Sequence, residues 1–130
     1  MNKREVGEKV NEVLFDALGS DEDEIKPTST LMGDLGAESI DFLDIVFRLE
    51  KEFGIKISRR EFFPEYFFNN PQYMNFENGK LTTEGFNKIR DEMPFVDLSR
   101  FKDNNEVRVA DLYTVDMVIR YICGKLGIQV

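Results

Sequence analysis

The chain has 130 residues, 42% hydrophobic and 32% charged, enough for one domain with a real core and too apolar for a wholly disordered chain. Its net charge of -8 opposes nucleic acid, whose phosphates it would have to approach, and points to basic partner surfaces. With no histidine, the usual zinc sites, Ser-His-Asp triads and Cys-His dyads are excluded, and the single Cys123 has no second cysteine for an internal disulfide.

In chain order, Val6, Val10, Val13, Leu14, Ala17 and Leu18 recur at helical spacing and Gly19 stands where a left-handed C-cap would end them. The acidic stretch Ser20 to Pro27 reads as a loop, with Leu31 and Leu35 as apolar anchors for its continuation. A second helix is expected from Ser39 to Phe53, with Leu43, Ile45, Val46, Leu49 and Phe53 inward and Gly54 at its end. Phe47 fits either a surface contact or the core.

From about Ser58 to Arg108 the character changes. Ser58-Arg59-Arg60-Glu61 fits a capping box that opens a short helix, which Pro64 must interrupt or restart. Phe62, Phe63, Tyr66, Phe67, Phe68, Tyr73 and Phe76 crowd this segment, and Asn78-Gly79 is a type I′ turn signal joining Met74–Phe76 to Lys80–Leu81. Thr82 or Thr83 caps a helix with Phe86, Ile89 and Met93 inward, ended by Pro94. Ala110-Asp111-Leu112 fits a single turn. Thr114 then caps a last helix with the stripe Val115, Val118, Ile119, Ile122 and Leu126.

The surplus of negative charge is uneven. Residues 1–57 hold 14 acids and 7 bases, residues 58–108 hold 9 and 8, and residues 109–130 hold 2 and 2, so the acidic surface belongs to the first half. Asp21-Glu22-Asp23-Glu24 and Asp103-Asn104-Asn105-Glu106 lack the sixth-position glycine and twelfth-position glutamate of a calcium loop. No apolar run approaches the roughly 20 residues that span a bilayer. Met1-Asn2-Lys3-Arg4-Glu5 leads into a charged helix rather than a signal-peptide core, so the expected location is the cytoplasm.

One segment combines an anchored loop, a glycine hinge and a serine at the mouth of a helix: Asp34-Leu35-Gly36-Ala37-Glu38-Ser39-Ile40, followed by the acidic helix ending Leu49-Glu50-Lys51-Glu52-Phe53. With the tail Thr114-Val115 to Tyr121-Ile122, it resembles the acyl carrier protein family, whose hallmark box is D-L-G-A-D-S-L. The resemblance covers about 1–58 and 109–126. It implies an all-α, acyl-carrier-like four-helix bundle in a single domain, with core 1–58 and 109–130; about 59–108, on which the resemblance is silent, reads from its own residues as an α-rich insertion that includes the candidate small β-hairpin.

The same resemblance implies a carrier rather than an enzyme, with 4′-phosphopantetheine donated by coenzyme A and attached to Ser39. A serine at a helix start is most often a cap, but a phosphodiester there also meets free N–H groups and the positive end of the helix dipole. Implied partners are a phosphopantetheinyl transferase and an acyl ligase, ketosynthase or acyltransferase with basic docking patches. Asp34, Glu38, Ile40, Asp41, Asp44, Glu50 and Glu52 would meet them, and the chain would act as a monomer. Glu38 and Ile40 replace the usual aspartate and leucine beside the serine. Arg48 and Lys51 interrupt the acidic stripe, so partner choice would differ from that of the housekeeping carrier. The implied acyl groove is lined by Leu31, Leu35, Ile45, Leu49, Ile57, Val115, Val118 and Ile119. A peptidyl carrier and an unmodified helical adaptor are the competing readings.

Overall fold

The structure, a computed structural model, describes residues 1–62, 69–99, 101 and 107–129. Among these the chain is all-α, with six α-helices and no strand: α1 Lys3–Leu18, α2 Ser39–Phe53, α3 Arg59–Phe62, α4 Thr83–Glu92, α5 Val109–Leu112 and α6 Val115–Leu126. Two compact units emerge, Met1–Ile57 with Tyr113–Val130, and Ser58–Leu112.

In the first unit three long helices are delimited by their caps. Asn2 accepts the Glu5 N–H at the start of α1, and Gly19, Gly54 and Gly127 adopt the left-handed conformation that ends α1, α2 and α6. α1 packs on both α2 and α6. Val6, Val10, Val13 and Leu14 of α1 are buried, as are Phe42, Ile45, Val46 and Leu49 of α2. From α6 come Val115, Met117, Val118, Ile119, Tyr121, Ile122 and Cys123. Ala17, Leu18, Phe53 and Leu126, expected inward, are only half-buried at the helix ends.

Leu43 departs from expectation: it is exposed, and Phe42 faces the core in its place. At about 100° per residue, Leu43 lies ~120° from Leu49 around the helix while Phe42 lies ~20° from it. Phe42 meets Tyr113 edge-to-face, ring centroids 5.5 Å apart. Tyr113 is fully buried, and burial pushes its hydroxyl well above the ordinary tyrosine range.

The second unit is built differently. Ser58 Oγ accepts the Glu61 N–H at 3.4 Å as α3 begins, and Phe62 is fully buried. Pro64 and the aromatics Phe63, Tyr66, Phe67 and Phe68 lie outside the described residues, as does the acidic run 103–106. Met74 and Leu81 form an antiparallel bridge, but the reversal between them is not a type I′ turn. Only Gly79 has positive φ, and the Asn75 carbonyl accepts the Gly79 N–H, so the loop is four residues long. Asn70, Asn75, Asn78 and Asp97 each accept, through Oδ1, the N–H two residues on, a series of Asx turns. Thr82 caps α4 by accepting the Gly85 N–H, and Ile89 and Met93 are buried while Phe86 is half-buried. A Cβ at Gly85 would overlap the Tyr73 carbonyl, so only glycine lets the first turn of α4 lie on that strand-like segment.

Candidate functional site

The loop between α1 and α2 is stitched to the start of α6. The first N–H groups of a helix have no partner within it. In α6 the loop takes up two of them, Val115 N–H donating to Ser29 O at 3.0 Å and Asp116 N–H to Pro27 O at 2.9 Å, and the helix's own cap takes a third, Met117 N–H donating to the Thr114 hydroxyl at 3.1 Å. In return Leu31 N–H donates to Tyr113 O at 2.8 Å, and Thr30 bridges to Thr114. Ser29 Oγ closes the arrangement by donating to Glu24 O and accepting from Lys26 N–H. Leu31 and Leu35 are buried as anchors, so the strand of loop that leads to Ser39 has a fixed path.

That path ends in a hinge. Gly36 sits at φ +72, a conformation that costs a residue with a side chain energy. Ala37 N–H then donates to Leu31 O at 2.7 Å, and Glu38, extended, precedes the helix. Asp41 Oδ2 reaches back to accept the Glu38 N–H at 2.7 Å. Ser39 is therefore the first residue of a 15-residue helix, between an exposed Glu38 and an Ile40 that is 75% exposed. A phosphodiester fits a serine at this position, because the helix N-terminus favours its negative charge.

The other residues expected to act here divide by what their side chains do. Asp34 is exposed and accepts the Thr30 N–H at 2.8 Å, which fixes the loop. Asp44 pairs with Arg48 at 3.0 Å, four residues on. Glu50 turns aside to accept the Ile57 N–H at 2.8 Å, and Glu52 lies 3.5 Å from Lys9. Ile40, Leu43 and Phe47 stand exposed in one line along α2, Phe47 at 60% and Leu43 at 40%. The sequence reading does not anticipate this line of apolar groups, because it places Leu43 inward. The period of the buried residues carries the signal that would have found it.

All eight residues expected to line a groove, Leu31, Leu35, Ile45, Leu49, Ile57, Val115, Val118 and Ile119, are buried in the first unit. Cys123 is buried among α6's inward residues; burial pushes its thiol up, and Lys3 pulls weakly the other way. Among the described residues no group of three or more acidic or cysteine side chains could hold a metal ion.

Residues 8–66 match the family model described as "Phosphopantetheine attachment site". The chain is 43% identical over 53 residues to an acyl carrier protein of Solidesulfovibrio magneticus, covering 41% of this chain and 68% of that protein. The chain belongs to the acyl carrier protein family. It is also 38% identical over 79 residues to the acyl carrier protein AcpXL of Rhizobium meliloti, covering 61% of this chain and 73% of that one. A third carrier, from Nitratidesulfovibrio vulgaris, is 40% identical over 52 residues, 40% of this chain and 68% of the relative. The prosthetic group of this family is covalently attached 4′-phosphopantetheine, and its members are carriers rather than catalysts. No described helix is long and apolar enough to cross a membrane.

Proposed function

We propose that this carrier holds an acyl intermediate as a thioester on 4′-phosphopantetheine attached to Ser39, and delivers it to fatty-acid, lipid or polyketide-type enzymes while catalysing nothing itself. The observation that carries the reading is the place of Ser39, first residue of a long helix, behind a glycine hinge in a loop pinned to α6. When bound, the group supplies a terminal thiol that a histidine-free chain with a buried cysteine lacks.

The chain's own residues then have distinct tasks. The dipole of α2 offsets the phosphate charge at Ser39, against the repulsion of Asp34, Glu38 and Asp41 nearby in sequence. Glu38 and Ile40 present themselves to the transferase, and Asp34 and Asp41 to basic patches on acyl ligases, ketosynthases or acyltransferases, while Asp44 is held by Arg48. Glu50 and Glu52 act locally first, holding Ile57 and facing Lys9. The eight core residues shelter the acyl chain when the bundle opens to admit it, each methylene leaving water with a gain of about 0.8 kcal/mol before the cost of opening. Residues 58–112 form an insertion within this single carrier domain, and the protein works as a cytoplasmic monomer.

The test is intact mass before and after incubation with coenzyme A, magnesium and a broad-specificity phosphopantetheinyl transferase. Wild type should gain one phosphopantetheine and Ser39→Ala none. No gain with several transferases would leave the unmodified adaptor as the better reading.

A further inference from the structure

The outward face of α2 changes sign along its length. At 3.6 residues per turn, Ile40, Leu43, Asp44, Phe47, Arg48 and Lys51 follow one another along the side opposite the buried Phe42, Ile45 and Leu49. The end nearest Ser39 carries Glu38 and Asp41, as a surface that seeks basic partners should. The far end does not. Its two acids point elsewhere, Glu50 accepting the Ile57 N–H at 2.8 Å and Glu52 lying 3.5 Å from Lys9. What remains on the ridge past Phe47 is Arg48 and Lys51.

Asp44 is held by Arg48 at 3.0 Å, which offsets the one ridge acid in the middle of the helix. Lys51 has no ion-pair partner among the described residues, although the chain has eight more acids than bases. An unpaired cation sits one turn beyond a phenylalanine that is 60% exposed, and an exchangeable exposed pair, Asp44 with Arg48, flanks the same ring. Exposed ion pairs of this kind are weakly held, so a partner carboxylate can replace Asp44 at little cost. A partner whose docking face is uniformly basic would meet like charge at this end, and like charges placed opposite each other select against it.

We propose that this ridge docks on an enzyme face that sets carboxylates opposite Arg48 and Lys51, beside an apolar pocket for Phe47, while bases meet only the Ser39 end. The proposal rests on the carrier reading above and names the chemistry of the partner it selects.

The probe is an ATP-dependent ligase that loads myristate onto general fatty-acid carriers through a basic docking patch. A second form of the same ligase has the bases that face the far end of the carrier helix replaced by glutamate. The carriers are wild type, Arg48→Glu/Lys51→Glu and the neutral Arg48→Gln/Lys51→Gln. All are first converted to the phosphopantetheine form, checked by mass, and compared for helicity by circular dichroism. On the basic ligase, kcat/KM should rise about tenfold from wild type to the glutamate pair, with the glutamine pair between. On the acidic form the order should invert, and both differences should shrink in ~0.5 M salt. Equal turnover of all three carriers by both ligases, or a wild type preferred by the basic ligase, would overturn the proposal. A wild type that never accepts phosphopantetheine overturns the carrier reading itself, and this proposal with it.

Discussion

The two units reach order by different means. In residues 1–57 and 113–130, long amphipathic helices carry most of the information, and each ends at a glycine in the left-handed conformation. In residues 58–112, short pieces are fixed by Asx turns, isolated bridges and one place where backbone lies on backbone at Gly85. The first design spreads its stabilisation over a repeated pattern and tolerates local change. The second concentrates it at single positions, so one atom in the wrong place has a large effect.

The strongest way to break this contrast is Gly85→Ala. The added Cβ would overlap the Tyr73 carbonyl, and its Tyr73 C neighbour would lie at 2.8 Å, so backbone must move. A loss of about 3 kcal/mol is expected in the inserted unit, at the upper end of overpacking costs. Hydrogen exchange should show lost protection in residues 73–92 with α1, α2 and α6 still protected and phosphopantetheine loading retained. Uniform loss of protection across both units would mean that the inserted segment is not a separate source of order.

A smaller effect belongs to the carrier unit. Thr114→Ala removes the hydroxyl that accepts the Met117 N–H, and Thr114 is buried, so water does not readily replace it. Urea unfolding should show a loss of about 1 kcal/mol. The carbonyls of Ser29 and Pro27 keep their bonds to Val115 and Asp116, so the loop should hold and Ser39 should still be modified. Loss of modification with the helix intact would show that the stitch itself positions Ser39.

An effect no larger appears only in alkali. Burial raises the Tyr113 hydroxyl, so above about pH 10 the unfolded chain releases a proton that the folded chain keeps. The unfolded state then binds fewer protons and stability falls as pH rises. Between pH 10 and 11 wild type should lose about 1 kcal/mol more than Tyr113→Phe, read as the difference in urea midpoints at matched slopes. Parallel pH profiles of the two proteins would place the hydroxyl in contact with water.

The same contrast governs what could be read in advance. α1 and α2 were legible to the residue at their C-terminal glycines, because a left-handed cap has few alternatives, and α6 at its Thr114 cap, because a buried stripe repeats every turn after it. The reversal of Phe42 and Leu43 came from adjacent apolar residues, for which only the angle to Ile45 and Leu49 decides. The box around Ser39 was legible as a local pattern. The role of Glu50 was not, since its partner is the Ile57 N–H past the helix end, a contact with no sequence period. In the inserted unit Asn78-Gly79 marked a turn correctly but not its type, because Asn78 keeps negative φ and the loop takes in Phe76 and Glu77. Gly85 looked like an ordinary helix residue, because what makes it necessary is the Tyr73 backbone twelve positions earlier.

The seclusion of Cys123 bears on the lifetime of the cargo. Thioesters pass readily to any thiolate within reach, and the protein's single cysteine is both enclosed and kept protonated by its surroundings. With no imidazole anywhere in the chain, a thioester on its arm meets neither an exposed protein thiol nor a histidine base. How long an acyl group stays aboard is then decided by bulk water and by the enzymes that come to collect it.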